Sequence, residues 1–102
     1  MTQPMTERLQ GQLHTPEPSR ILQRLCFHFQ RKIAVRYDAR QGVAHFPWGR
    51  CTLTAEEALL HFACEATDDA QLARVRHVID EHIALFSRKQ PLAVQWQSAP
   101  AA

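Results

Sequence analysis

The sequence predicts an α+β domain: an antiparallel sheet of about five strands with two helices packed on one face, in the order α-β-β-β-β-α-β. Three observations lead there. Two segments, opening near Ser19 and Thr67, carry apolar residues at three- and four-residue spacing behind helix-start signals. The shorter segments between and after them alternate apolar and polar residues at period two, the mark of antiparallel strands with one buried face. Among these strands, Phe46-Pro47-Trp48-Gly49-Arg50-Cys51 supplies a hairpin tip. Two helices on one face of such a sheet is the simplest arrangement that buries every stripe. A chain of 102 residues suits one domain with one core.

Taken in order, residues 1–11 read as a mobile arm, 12–97 as the domain and 98–102 as a disordered tail. Gln12-Leu13-His14 suggests a short edge strand. Thr15-Pro16-Glu17-Pro18-Ser19 starts a helix, with Ser19 as N-cap and the prolines where no intrahelical N–H is required. That helix runs to about Arg31. Ile21, Leu22, Leu25, Cys26 and Phe29 share its apolar face, beside a column of Arg20, Arg24, His28 and Lys32. Phe27 lies away from the core. Ile33, Val35 and Tyr37 alternate through the next strand, and Gly42 marks a turn into one carrying Val43 and His45.

At the hairpin tip, Pro47 presets the first loop position and Gly49 offers a positive φ at the third. A three-residue loop pairs Phe46 with Arg50 and His45 with Cys51. Ala55-Glu56-Glu57-Ala58 turns the chain again, and Leu60, Phe62 and Cys64 alternate. Thr67 caps the second helix, with Asp68 and Asp69 in its first turn and Leu72, Val75, Ile79, Ile83 and Phe86 as its stripe. Arg88 and Lys89 suit its C-terminal end, Pro91 stops it, and Leu92, Val94 and Trp96 alternate through a last strand. This register sends Val35, Cys51, Leu53, Phe62 and Val94 towards the helices. The opposite face receives Ala34, Ala44, Ala63 and Ala93 with Arg36, Phe46, Arg50, His61, Glu65 and Gln95.

Composition removes several function classes. No run approaches the roughly 18 apolar residues of a membrane span. The stretch from Met1 to Glu7 has no apolar segment of signal-peptide type, so a cytoplasmic protein that does not engage membranes is expected. Cys26, Cys51 and Cys64 are odd in number, lack metal spacing and fall on apolar faces, which suits reduced core thiols. Cys26 and His28 point about 200° apart on a helix and cannot chelate one ion. Without CxxC or HExxH spacing, neither metal nor cofactor is expected. Up to Cys51, eight basic residues face three carboxylates; from Thr52 onward, four face seven. The halves are therefore near +5 and −3. A basic half suits an acidic ligand or partner, although a bipolar solvated surface is the plainer account. Nucleic acid is disfavoured: the net charge is modest and no binding motif is present.

Histidine is the over-used residue, with six copies. His82 falls in the second helix's stripe and His28 at the edge of the first's, one turn from Arg24 and Lys32. Each is a candidate acid/base or ligand-binding imidazole, set against the plainer role of a histidine that covers core. The neighbouring cations disfavour protonation of His28. His77 and Glu81 read as ordinary i,i+4 surface chemistry.

Several of these segments together resemble the bacterial family of domain of unknown function 2218 (DUF2218). They are Pro18-Ser19-Arg20-Ile21-Leu22-Gln23-Arg24-Leu25-Cys26-Phe27-His28-Phe29 with Lys32, the hairpin Phe46 to Cys51, Glu81-His82 with Phe86, and Leu92-Ala93-Val94-Gln95-Trp96. The resemblance spans most of residues 12–97. It implies no assigned activity, and it implies an association with siderophore-interacting reductase-type proteins. The family motifs fall on Arg20, His28, Lys32, Phe46, Pro47, Gly49, Arg50 and His82. The chain departs from the family at Ile21, where relatives often carry an aromatic, and at Arg31, where they often carry a second histidine.

The expectation is a non-catalytic binding or accessory module for an acidic small molecule or acidic protein surface, a carboxylate-bearing siderophore or siderophore-related protein among them. Arg20, His28, Lys32, Arg50 and His82 are its candidate ligand-binding residues, since arginine and lysine suit carboxylates. One rival is a small enzyme using His28 or His82 as general acid/base. Another is a homodimeric scaffold built on the open sheet face, with Phe46, Trp48 and His61 as candidate contact residues.

Overall fold

The computed structural model describes residues 5–98, and it is a two-layer α+β domain. Its elements are β1 (Glu7–His14), α1 (Pro18–Phe29), β2 (Ala34–Tyr37), β3 (Gln41–Phe46), β4 (Gly49–Glu56), β5 (Leu59–Ala66), α2 (Asp69–Phe86) and β6 (Gln95–Ser98). The six strands form one sheet in the order β2-β3-β4-β5-β1-β6, and every neighbouring pair is antiparallel. Both helices pack on one face, α1 over β2 to β5 and α2 over β4, β5 and β1.

The core lies between these layers. Leu22, Leu25, Cys26 and Phe29 of α1 and Leu72, Val75, Ile79 and Ile83 of α2 are buried against Leu13, Ala44, Cys51, Leu53, Leu60, Phe62 and Cys64 of the sheet. The helical stripes thus bury most of the residues that their spacing selects, with Ile21 and Phe86 half-buried at the edge. All three cysteines are free and buried. Cys51 and Cys64 face each other across β4 and β5 with their sulfurs 3.7 Å apart.

Several expectations need correction. The N-terminal strand is no short edge strand: it begins at Glu7 and lies between β5 and β6, so residues 7–11 belong to the sheet and not to an arm. Residues 1–4 and 99–102 of the expected arm and tail lie outside the described residues. The hairpin tip has two loop residues, Pro47 and Trp48, and pairs Phe46 with Gly49, His45 with Arg50 and Ala44 with Cys51. The one-residue slip changes sides for β3: Ala44 and Phe46 turn into the core, and Val43 and His45 turn out.

The helix starts also differ. Glu17 holds the N-cap position of α1 without a side-chain bond, and the Ser19 hydroxyl donates instead to the Ala39 carbonyl. For α2 the cap is Asp68, whose carboxylate accepts from the Gln71 N–H at 2.8 Å. Aspartate outranks threonine at this position, and here it takes the role. Lastly, Leu92 and Val94 precede the final strand, and β6 pairs through Gln95 to Ser98 alone.

Candidate functional site

The two helices run in opposite directions, so residues that are far apart in sequence meet across the seam. Arg24 of α1 sits over the Phe86 ring of α2, its guanidinium carbon 4.3 Å from the centroid. One turn on, the His28 and His82 rings lie 4.7 Å apart. Both rings also meet Phe86, at 6.0 Å, and Phe29 packs edge-on to His82 at 5.0 Å. The seam is therefore an aromatic cluster with two imidazoles in it.

The His82 Nδ1 lies 2.7 Å from the Val78 carbonyl, and a carbonyl oxygen accepts only, so Nδ1 carries the proton. For His28, desolvation at the seam pulls the pKa below its ordinary value. The His82 ring, Arg31 and Lys32 act in the same direction.

Beyond Phe86 a cleft of about 670 Å³ opens between the start of α1 and the end of α2. Ile21, Ile83, Phe86 and Leu92 line it, and Arg20, Arg24, Arg88 and Lys89 stand around it. Glu17 is the single carboxylate among the lining residues. It faces Arg20 at 3.3 Å, in an ion pair exposed to solvent. Among the described residues, Arg24, Arg88 and Lys89 have no carboxylate partner. A second, shallower depression shares Pro16, Glu17 and Arg20 with the cleft and continues past Ser19, Arg40 and Glu57.

The structure thus divides the residues singled out in the sequence. Arg20 lines the cleft, and His28 and His82 touch each other at the seam but line neither depression. Lys32 is exposed beyond the end of α1. Arg50 belongs to the open face of the sheet, where its guanidinium pairs with Glu65 at 2.9 Å. A sheet therefore separates Arg50 from His28, and the two do not share a site.

The expected contact residues divide as well. Phe46 is buried, packs edge-on to Phe29 at 5.4 Å and stacks on Trp48 at 5.6 Å, so it leaves the open face altogether. Trp48 is half-buried with the Arg74 guanidinium 4.5 Å over its ring. Its indole is folded onto its own domain. His61 does reach the open face and lies 3.4 Å from Glu56.

Arg24, Arg88 and Lys89 are the site residues that sequence reasoning left out. Arg24 was visible within the basic column of α1. Arg88 and Lys89 read as ordinary helix-end charges, and only the opposed run of the helices brings them to the start of α1.

Among the described residues no group of three or more His, Cys, Asp or Glu side chains converges as metal ligands. No helix there is long and apolar enough to cross a membrane. Burial pushes the Cys26 thiol up to about 11 and raises the Cys51 thiol well above its ordinary value, so both stay protonated.

Fold and site together define a small two-layer α+β domain with a basic cleft between its helix ends. The chain belongs to the family described as uncharacterized protein conserved in bacteria (DUF2218), whose model matches residues 10–97. It is similar to PA4090 from Pseudomonas aeruginosa, whose NMR structure superposes with a TM-score of 0.76 at 25% identity, covering 93% of this chain and 97% of that one. No curated protein matches the chain.

Proposed function

We propose that this domain is a cytoplasmic, non-catalytic binding module for an acidic small molecule, taken up in the cleft between the start of α1 and the end of α2. The observation that carries this reading is the imbalance of charge around one concavity. Four cations surround it and one carboxylate answers them. Like charges held together without partners repel one another, and an anion bound among them removes that cost. Arginine adds a planar fork suited to a carboxylate. A carboxylate-bearing siderophore is one ligand of this class, supported by the association that the family resemblance implies.

Titration calorimetry with citrate at low ionic strength tests the reading. Arg24→Ala and Arg88→Ala should each weaken binding roughly three- to tenfold, the range of one partly exposed charge-assisted contact. Arg50→Ala, on the far side of the sheet, should leave it unchanged. Equal affinity in wild type, Arg24→Ala and Arg88→Ala sinks the assignment.

A further inference from the structure

The same cleft carries information about the rest of its ligand. Two polar residues lie buried at its base, Thr15 and Ser87. Both are engaged by the fold itself. The Thr15 hydroxyl oxygen accepts from the Glu17 N–H at 3.2 Å. The Ser87 hydroxyl donates to the Ile83 carbonyl at 2.6 Å and accepts from the Leu92 N–H at 3.0 Å. What else lies deep is apolar: Ile83 is buried, and Ile21, Phe86 and Leu92 are half-buried. Leu85 stands beside them with 46% of its surface exposed, one of the few large apolar side chains left in water. The charged groups, by contrast, are all exposed and stand at the rim.

We infer that the ligand is an amphipathic carboxylate: an acid whose apolar body lies on the accessible Ile21, Leu85 and Leu92 side chains while its carboxylate meets Arg24, Arg88 or Lys89 at the rim. This inference rests on the anion-binding reading above. A compact polyanion would leave the apolar base wet and satisfy only the rim. An uncharged hydrocarbon would do the reverse. A ligand with one charged end and an apolar body matches both parts of the cleft, and burial of that body adds the affinity that a few exposed ion pairs lack.

The experiment is a calorimetric series of straight-chain carboxylates, butanoate to decanoate, run beside citrate. The affinity should rise roughly three- to fourfold with each added methylene, until the chain outgrows the cleft. Leu85→Ser removes exposed apolar surface at little risk to the fold. It should weaken decanoate at least severalfold and leave citrate unchanged. Arg24→Gln should weaken both. Citrate binding with no dependence on chain length, or decanoate binding indifferent to Leu85→Ser, overturns the amphipathic assignment and spares the anion site. Failure of citrate and every alkanoate to bind overturns the anion site itself.

Discussion

At the scale of single residues, backbone crowding explains two positions that side-chain chemistry does not. Gly49 has no positive φ; in the described chain only Ala58 does among non-glycine residues, at 56°. What Gly49 supplies is clearance, because a Cβ there would run into the Glu65 carbonyl oxygen on β5. Backbone cannot swing aside as a side-chain tip can. Gly49→Ala should therefore cost about 2–3 kcal/mol by overpacking, where an unobstructed Gly→Ala change gains a few tenths to about 1 kcal/mol. Urea melts decide it, and a neutral or stabilising result refutes the close approach. Ala58 is the converse case. An L-residue in the left-handed region costs roughly 1–2 kcal/mol, and glycine's extra unfolded-state freedom takes back about 0.4–1 kcal/mol. Ala58→Gly should thus raise stability by about 0.5 kcal/mol, visible as a higher melting temperature. A lower one means that the turn tolerates the alanine without strain.

At the scale of elements, what the sequence showed and what it hid have separate physical causes. Both helices were legible because their stripes repeat over three or more turns and their starts carry proline or acidic signals. Strands β2 to β5 were legible from alternation. The tip register was not, since Pro-Trp-Gly serves a two-residue loop as well as a three-residue one, and a slip of one residue moved Phe46 and Ala44 across the sheet. Only the end of β1, Gln12 to His14, was legible, because its inward positions are Glu7, Leu9, Gly11 and Leu13, of which only two are large and apolar. Gly11 is small for a reason outside its own segment: a Cβ there would fall 2.6 Å from Val94 and 2.7 Å from the Trp96 ring, which packs over it with its indole N–H on Asp80 at 2.8 Å. The site residue Arg20 was legible within a helical column, whereas Arg88 and Lys89 needed the fold to reach it. Gln10→Pro tests the internal position of β1. Gln10 is flanked by Ala63 on β5 and Gln97 on β6, so a proline there loses a ladder bond and clashes on whichever side its N–H faced. The variant should lose roughly 3 kcal/mol or fail to fold cooperatively by circular dichroism. If residues 7–11 were an arm, it would melt like the wild type.

At the scale of the whole molecule, the helix layer closes through the aromatic seam, and that closure depends on charge. His28 faces the His82 ring and Phe86 from α2, with Arg31 and Lys32 beside it on its own side and Arg24 on the Phe86 ring. A proton on His28 therefore adds a cation to a partly desolvated position among cations. The folded chain holds this imidazole's pKa below its ordinary value of 6.5, whereas the unfolded chain releases it to that value. Below the unfolded pKa the unfolded state binds the extra proton first, and stability falls as the pH is lowered. The contribution is complete above pH 6.5 and is lost as the pH drops from there through the folded pKa. The Asp38 carboxylate, held low by the Arg40 and Gln41 N–H groups, works in a different window, below its ordinary 3.8. The two effects separate cleanly on the pH axis. Urea midpoints at pH 7.5, 6.5 and 5.5 should fall for the wild type, and the fall should be shallower in His28→Gln, which cannot take the proton. An Asp38→Asn chain should keep the wild-type slope over this range. If His28→Gln follows the wild type in parallel, the proton that matters lies elsewhere, and the seam is packing without a charge dependence of its own.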